Sequence, residues 1–287
     1  MSQHRSWYRI NKTCELYGEL HVPPNGEMNI LVVMVHGIGE HSGCYVHLAQ
    51  KFVDQSIGFL AYDLRGHGRS TGVRGHATLK DLKDDLNVII ENMREKFPNI
   101  PIVLLGHSMG GQIVTSCAID QNLDVQGFIA SSPWLKLANL PSPFFIRLAR
   151  WASRIVPQWT VRTGIKANQL THSGTITKST KKDPLLHKKI SIKLFSDLYA
   201  NSQMIIRLKN LRLNTPFLMM HSDSDKLVSF RAVRKFAHKN RRALFLKKWS
   251  KKGHDLFHDD EKDMIFRYVM YWLSKYILRK WKVSEQL

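Results

Sequence analysis

The stretch Ile102-Val-Leu-Leu-Gly-His-Ser-Met-Gly-Gly111 decides how the rest of this chain reads. Ile102 to Leu105 is a short aliphatic run of the kind that forms a strand covered on both faces, and Gln112 to Ile119 reads as a helix. Between them, Gly106-His107-Ser108-Met109-Gly110 matches G-x-S-x-G, with a further glycine at 111. A serine at the tip of such a strand-to-helix turn presents its hydroxyl at the sheet edge. Small residues two positions before and after it let the backbones pass closely, and the helix N-terminus places positive dipoles where an oxyanion would form. The spacing alone recurs by chance. The strand before it and the helix after it make Ser108 a candidate nucleophile.

Outward from this segment, further strands are predicted at Ile30–Val35, Gly58–Tyr62, Gly127–Ala130, Phe217–Met220 and Ala243–Lys247. Helical windows fall at Tyr45–Gln55, Thr78–Lys96 and Gly111–Asp120. Strands alternating with helices imply βαβ units and a mostly parallel sheet, an α/β fold. Trp7 to Val22 reads instead as one or two antiparallel edge strands. The alternation stops after Ser132-Pro133, and about 80 residues without strand signals follow before Asn214-Thr215-Pro216 introduces another strand. A long insertion there is best read as a cap over the carboxyl edge of the sheet. The expected division is core 1–133, cap 134–208 and core 209–287.

A serine hydroxyl needs a histidine to take its proton, and that histidine needs an acid to fix its tautomer. In a fold of this type the acid and then the histidine follow the serine, on loops after later strands. Phe217-Leu-Met-Met-His-Ser-Asp-Ser-Asp225 supplies a strand ending in two aspartates, Asp223 and Asp225. Lys247-Lys-Trp-Ser-Lys-Lys-Gly-His-Asp-Leu-Phe-His258 supplies two histidines before the C-terminal helix.

Three further motifs sharpen the choice. Val35-His-Gly-Ile-Gly-Glu-His-Ser-Gly-Cys-Tyr45, Asp63-Leu-Arg-Gly-His-Gly-Arg-Ser-Thr-Gly72 and Lys182-Asp-Pro-Leu185 accompany Gly106-His-Ser-Met-Gly-Gly111. With these segments the chain resembles the monoacylglycerol lipase and lysophospholipase branch of the α/β-hydrolases, also called serine-aminopeptidase-like. The resemblance implies an eight-stranded, mostly parallel sheet with helices on both faces and a helical cap inserted after strand 6. It implies the triad Ser108, Asp225 and His254. Asp225 precedes Lys-Leu-Val as the branch's acid precedes its own D-x-[IVL]-[VC] residues, although Ser222 stands where the branch often has glycine. Ile38 and Met109 would supply the oxyanion-hole amides, Asp63 to Ser70 would form a turn, and His258 and His238 are expected to be surface or packing residues.

The cap carries much of the charge. From Trp134 to Leu208 there are thirteen Lys/Arg against two acids, within a chain of formal charge +20. Leu140 to Val156 reads as an amphipathic helix capped by Ser142 with Pro143 in its first turn. Phe144, Leu148, Trp151, Ala152 and Ile155 form one stripe and Arg147, Arg150 and Arg154 lie away from it. Two accounts are open: the stripe packs on the core, or part of it lines an acyl tunnel or meets an anionic membrane. The basic run Lys178 to Lys193 is by default solvated charge, with a phosphate-bearing substrate as the alternative. Glu261 to Lys282 reads as a final core-packing helix.

Three cysteines give no disulfide framework, and no Cys/His spacing suits zinc, so no metal or other cofactor is expected. No run of about 20 apolar residues and no leader-like start appear, so a cytoplasmic location, with a peripheral membrane role open, is the default. No nucleic-acid-binding signature is present. The expected partner is a small lipid-like ester; the oligomeric state is not legible. The expected function is hydrolysis of monoacylglycerol- or lysophospholipid-like esters through an acyl-enzyme. General esterase, thioesterase or peptidase activity on the same triad, or membrane binding without catalysis, are the alternatives.

Overall fold

The structure, a computed structural model, describes residues 2–170 and 183–279. Eight strands form one sheet: β1 (Ser2–Asn11), β2 (Cys14–Val22), β3 (Ile30–Val35), β4 (Ile57–Tyr62), β5 (Ile102–His107), β6 (Gly127–Ser131), β9 (Phe217–Ser222) and β10 (Phe245–Trp249). Their order across the sheet is β1-β2-β4-β3-β5-β6-β9-β10. β1 and β2 form an antiparallel hairpin, β2 pairs antiparallel with β4, and every pair from β4 to β10 is parallel.

The apolar runs do what a sheet covered on both faces requires. Along β5, Ile102 and Leu104 enter one core cluster while Val103 and Leu105 enter the other; β3 divides in the same way. Helices α2 (Leu79–Lys96) and α3 (Met109–Asp120) cover the first face, and α1 (Val46–Val53) with the helix at Lys262–Leu273 covers the second. α2 starts where its capping box dictates: Thr78 Oγ1 accepts from Asp81 N–H at 3.0 Å while Asp81 Oδ2 accepts from Thr78 N–H at 2.9 Å. The final strand lies two residues later than the sequence reading placed it. It is a sheet edge whose lysines blur the apolar pattern.

Between β6 and β9 the chain leaves the sheet. It forms α4 (Pro143–Ala152), an antiparallel ribbon of β7 (Thr160–Arg162) and β8 (Lys189–Ser191), and α5 (Ile192–Ile205). The ribbon was not foreseen. α5 packs on α3, where Gln112 Nε2 donates to the Leu198 carbonyl at 2.8 Å. Ser142 caps α4 by accepting from Phe145 N–H, as its sequence predicts. The side of α4 that meets the protein is Ile146, Ala149 and Ala152. Of the stripe read from the sequence, only Ala152 is buried. Phe144 is 69% exposed and Trp151 60%, and Leu148 and Ile155 also face solvent.

Residues 171–182 hold much of the basic run from Lys178 and lie outside the described residues, as does the end of the chain from 280. No helix among the described residues is long and apolar enough to cross a membrane.

Candidate active site

Because β5, β9 and β10 run parallel, the loops that follow them emerge at one edge of the sheet. Ser108 opens α3, with φ +53° and ψ −111°, a left-handed conformation costly for any residue with a Cβ. The glycines around it make the turn feasible. A Cβ on Gly106 would stand 2.4 Å from the Gly110 carbonyl oxygen, and one on Gly110 would stand 2.0 Å from that of Val35.

The structure brings the three sequence-selected side chains together. His254 Nε2 lies 2.9 Å from Ser108 Oγ, and His254 Nδ1 lies 2.6 Å from Asp225 Oδ2. The other carboxylate oxygen of Asp225 accepts from the Leu227 and Val228 amides at 2.8 and 3.0 Å. Burial works against the Asp225 charge, but His254 and His221 hold its carboxyl far below the usual carboxylate range. Burial likewise opposes a charged His254, and the carboxylate of Asp225 more than offsets this, so the imidazole pKa is raised. Asp223 sits apart on the surface, accepting from Lys251 N–H and Ser250 Oγ.

Two groups near this chain of contacts escaped the sequence reading. His221, buried in β9, approaches Asp225 Oδ2 at 3.0 Å. The detectable signal was a polar residue in an apolar strand four positions before the acid. His258 is no simple packing residue. It lies in a short turn over Leu256–His258, and its Nδ1 bonds buried Asp255 at 2.7 Å while Nε2 donates to the Cys44 carbonyl at 2.8 Å. Burial opposes its charge, and Asp255 pushes its pKa up to about 9 nonetheless.

The loop that carries Ile38 is braced from several sides. Glu40 Oε2 accepts from the Gly37 amide at 2.8 Å and from the Tyr45 hydroxyl at 2.7 Å. His36 Nε2 accepts from Leu64 N–H, which leaves Nδ1 to donate to the Gly37 carbonyl at 2.8 Å. Asp63 acts as a turn-former, accepting from the Ser42 and Arg69 amides. Ile38, Ser108 and His254 all line one cavity of about 220 Å³, walled by Trp134, Phe145, Val161, Ile190 and Phe195. Arg162 is the only Lys, Arg, Asp or Glu among the described residues lining it.

Among the described residues, one cluster of potential metal donors occurs: Glu40, His107 and Asp255, with donor atoms within 4.8 Å. Both carboxylates already accept hydrogen bonds, from Gly37 and Tyr45 and from His258, so the cluster reads as an acid–histidine network behind the site. His107 packs its ring 5.0 Å from that of His254, and burial lowers its pKa.

A parallel sheet flanked by helices, an elbow serine and a histidine–aspartate pair at its carboxyl edge define an α/β-hydrolase. The family model described as serine aminopeptidase, S33, matches residues 26–261, and the chain belongs to that family. It is similar to the monoacylglycerol lipase of Mycolicibacterium smegmatis, at 26% identity over 88% of this chain and 91% of that one. An uncharacterized abhydrolase-domain protein of Dictyostelium discoideum is 30% identical over 86% of this chain, which spans 26% of that larger protein. Among solved structures, the Paleococcus ferrophilus monoacylglycerol lipase superposes with a TM-score of 0.79 at 27% identity, covering 95% of this chain and 98% of that one. A soluble variant of the Saccharomyces cerevisiae monoglyceride lipase shares the fold at a TM-score of 0.86 and 19% identity, covering 96% of each chain. The protein is a serine hydrolase of the monoacylglycerol lipase and lysophospholipase branch, acting on carboxylic esters.

Proposed function

We propose that the protein cleaves monoacylglycerol- or lysophospholipid-like esters through an acyl-enzyme on Ser108. The observation that carries this is the 2.9 Å contact between Ser108 Oγ and His254 Nε2 at the floor of a largely apolar cavity. His254 removes the hydroxyl proton as Oγ attacks the ester carbonyl, then returns it to the departing alcohol. Water repeats the cycle to release the fatty acid. Asp225 holds the imidazole with its proton on Nδ1 and stabilises the imidazolium. The amides of Ile38 and Met109 receive the carbonyl oxygen as it gains charge, and Met109 is well placed because the first amides of a helix have no intrahelical acceptor. Residues 134–208 serve as the cap between core parts 1–133 and 209–287, with Phe145 and Phe195 facing the acyl chain.

The family name raises the peptidase alternative. An aminopeptidase must receive a free α-ammonium, and the described residues lining the cavity include no carboxylate to do so. Labelling with a fluorophosphonate probe, followed by a panel of glyceryl, lysophosphatidyl and p-nitrophenyl esters beside an aminoacyl amide, tests the assignment. The expected result is labelling and ester cleavage. Cleavage of the amide alone would refute the ester reading.

The outward side of α4 supports a peripheral membrane role. Phe144, Leu148 and Trp151 on the helix and Ile155 in the turn after it are exposed, with Arg147 and Arg150 on the helix and Arg154 in that turn. Apolar side chains left in water beside cations suit an anionic lipid surface. Vesicles containing anionic lipid should sediment the protein more than neutral ones, and Trp151→Asp should weaken that binding. Equal binding to both vesicles would dismiss the role.

A further inference from the structure

The loop that carries Ile38 is tied to the far end of the inserted segment. His41 is buried, and its Nδ1 accepts from the Gly43 amide at 3.1 Å. That fixes the ring proton on Nε2, which lies 2.9 Å from Asp183 Oδ2. The remaining oxygen of Asp183 accepts from the Leu185 amide at 2.9 Å, so the carboxylate is itself oriented. Burial works against its charge, but the Leu185 and His41 hydrogen bonds hold its pKa below the ordinary value.

A second tie lies four residues on. The His187 amide donates to the Gly39 carbonyl at 3.0 Å. Gly39 has φ +78°, and a Cβ there would stand 2.0 Å from the His187 carbonyl oxygen, so the two backbones touch directly. The contact continues where Ser191 N–H donates to the Gly75 carbonyl at 2.8 Å and Ser191 Oγ meets His76 Nδ1 at 3.0 Å. Ile38 therefore sits between Gly37, whose amide and carbonyl are fixed from the core side by Glu40 and His36, and Gly39, whose carbonyl is fixed from the cap side.

We infer that Asp183 is a positioning residue for ester hydrolysis: by holding His41, beside the His187–Gly39 contact, it keeps the Ile38 amide aimed at the developing oxyanion. The hole is then complete only while the return segment 183–191 is seated on the loop. This rests on the reading of Ile38 and Met109 as the oxyanion donors. Asp183 is not among the described residues lining the cavity, so its effect passes through the loop.

The test compares wild type with Asp183→Ala and Asp183→Asn on a short p-nitrophenyl ester and on its thiono analogue. Sulfur accepts hydrogen bonds from amides poorly, so an intact oxyanion hole prefers the oxo ester. Loss of one oxyanion donor costs about 100- to 1,000-fold in kcat, and a misaimed donor should cost about 10- to 100-fold by the same reasoning. Asp183→Ala should lower kcat by that amount with KM nearly unchanged and narrow the oxo-over-thiono preference. Asp183→Asn, whose single acceptor oxygen must serve either the Leu185 amide or His41, should show a smaller loss of the same kind. An unchanged kcat and preference in Asp183→Ala, or a change confined to KM, would overturn the inference while Ser108 labelling left the triad reading intact. If Asp183→Ala does not fold, His41→Ala decides on the same readout: an unchanged kcat and oxo-over-thiono preference there overturns the inference. Absence of labelling in wild type would instead strike the underlying mechanism.

Discussion

Ser108→Ala is expected to lower kcat for ester hydrolysis by about a million-fold, the scale seen when the nucleophile of an intact triad is removed. The hydroxyl both meets His254 Nε2 at 2.9 Å and opens on the apolar cavity. No nearby thiol replaces it, because burial pushes the Cys44 thiol far above its ordinary pKa and leaves it un-ionised at neutral pH. The fold should survive. Alanine retains the backbone bonds of the elbow, where Ser108 N–H donates to the Ser131 carbonyl and its own carbonyl accepts from the Gln112 and Trp134 amides. The measurement is steady-state hydrolysis alongside fluorophosphonate labelling, with circular dichroism to show an intact fold. A folded variant that keeps more than about 1% of activity would point to a different nucleophile.

The elbow was legible because its glycines answer to a backbone constraint that no other residue satisfies: the closest approaches at Gly106 and Gly110 are to main-chain oxygens. The central strands were legible for a similar reason, since β3, β4, β5, β6 and β9 are buried at every position and are apolar along most of their length, with His107 and His221 near the ends of β5 and β9. α4 was harder. Its sequence carries two apolar sides, and periodicity does not say which one meets the protein. The small side, Ala149 and Ala152 with Ile146, allows close packing, and the bulky side with Phe144 and Trp151 is left outside. The bonds of His258 were not foreseen because the chain after His254 makes a tight turn, capped by Asp255 accepting from Phe257 N–H, before the helix at Lys262–Leu273 begins. The three-residue spacing of Asp255 and His258 was present in the sequence, but only the turn shows that they meet. The tie from Asp183 to His41 spans 142 residues and leaves no local trace in either segment.

Asp225→Asn is expected to lower kcat by about 10,000-fold, as loss of the correct histidine tautomer does in other serine hydrolases. The direction follows from which oxygen does what. Oδ1 accepts from the Leu227 and Val228 amides, so an asparagine must keep its carbonyl oxygen there. Its NH2 group then faces His254 Nδ1 and His221 Nε2, where Asp225 presents Oδ2. A donor at that place requires His254 Nδ1 to accept, moving the ring proton to Nε2, which points at Ser108 and can no longer take the hydroxyl proton. The pH profile gives an independent check. His254 acts as a base only when neutral, and in wild type its pKa is raised, because the charge of Asp225 outweighs the burial that disfavours imidazolium. The acid limb of kcat/KM in wild type should therefore fall above the ordinary histidine value of about 6.5. Removing the carboxylate charge leaves burial as the dominant influence, so the limb of the residual activity should move to lower pH. Asp223→Asn, altering a surface group bonded to Ser250 and Lys251, should leave both rate and profile nearly unchanged. If the two substitutions had similar effects, or the limb stayed in place when Asp225 lost its charge, the assignment of Asp225 as the partner that tunes His254 would be refuted.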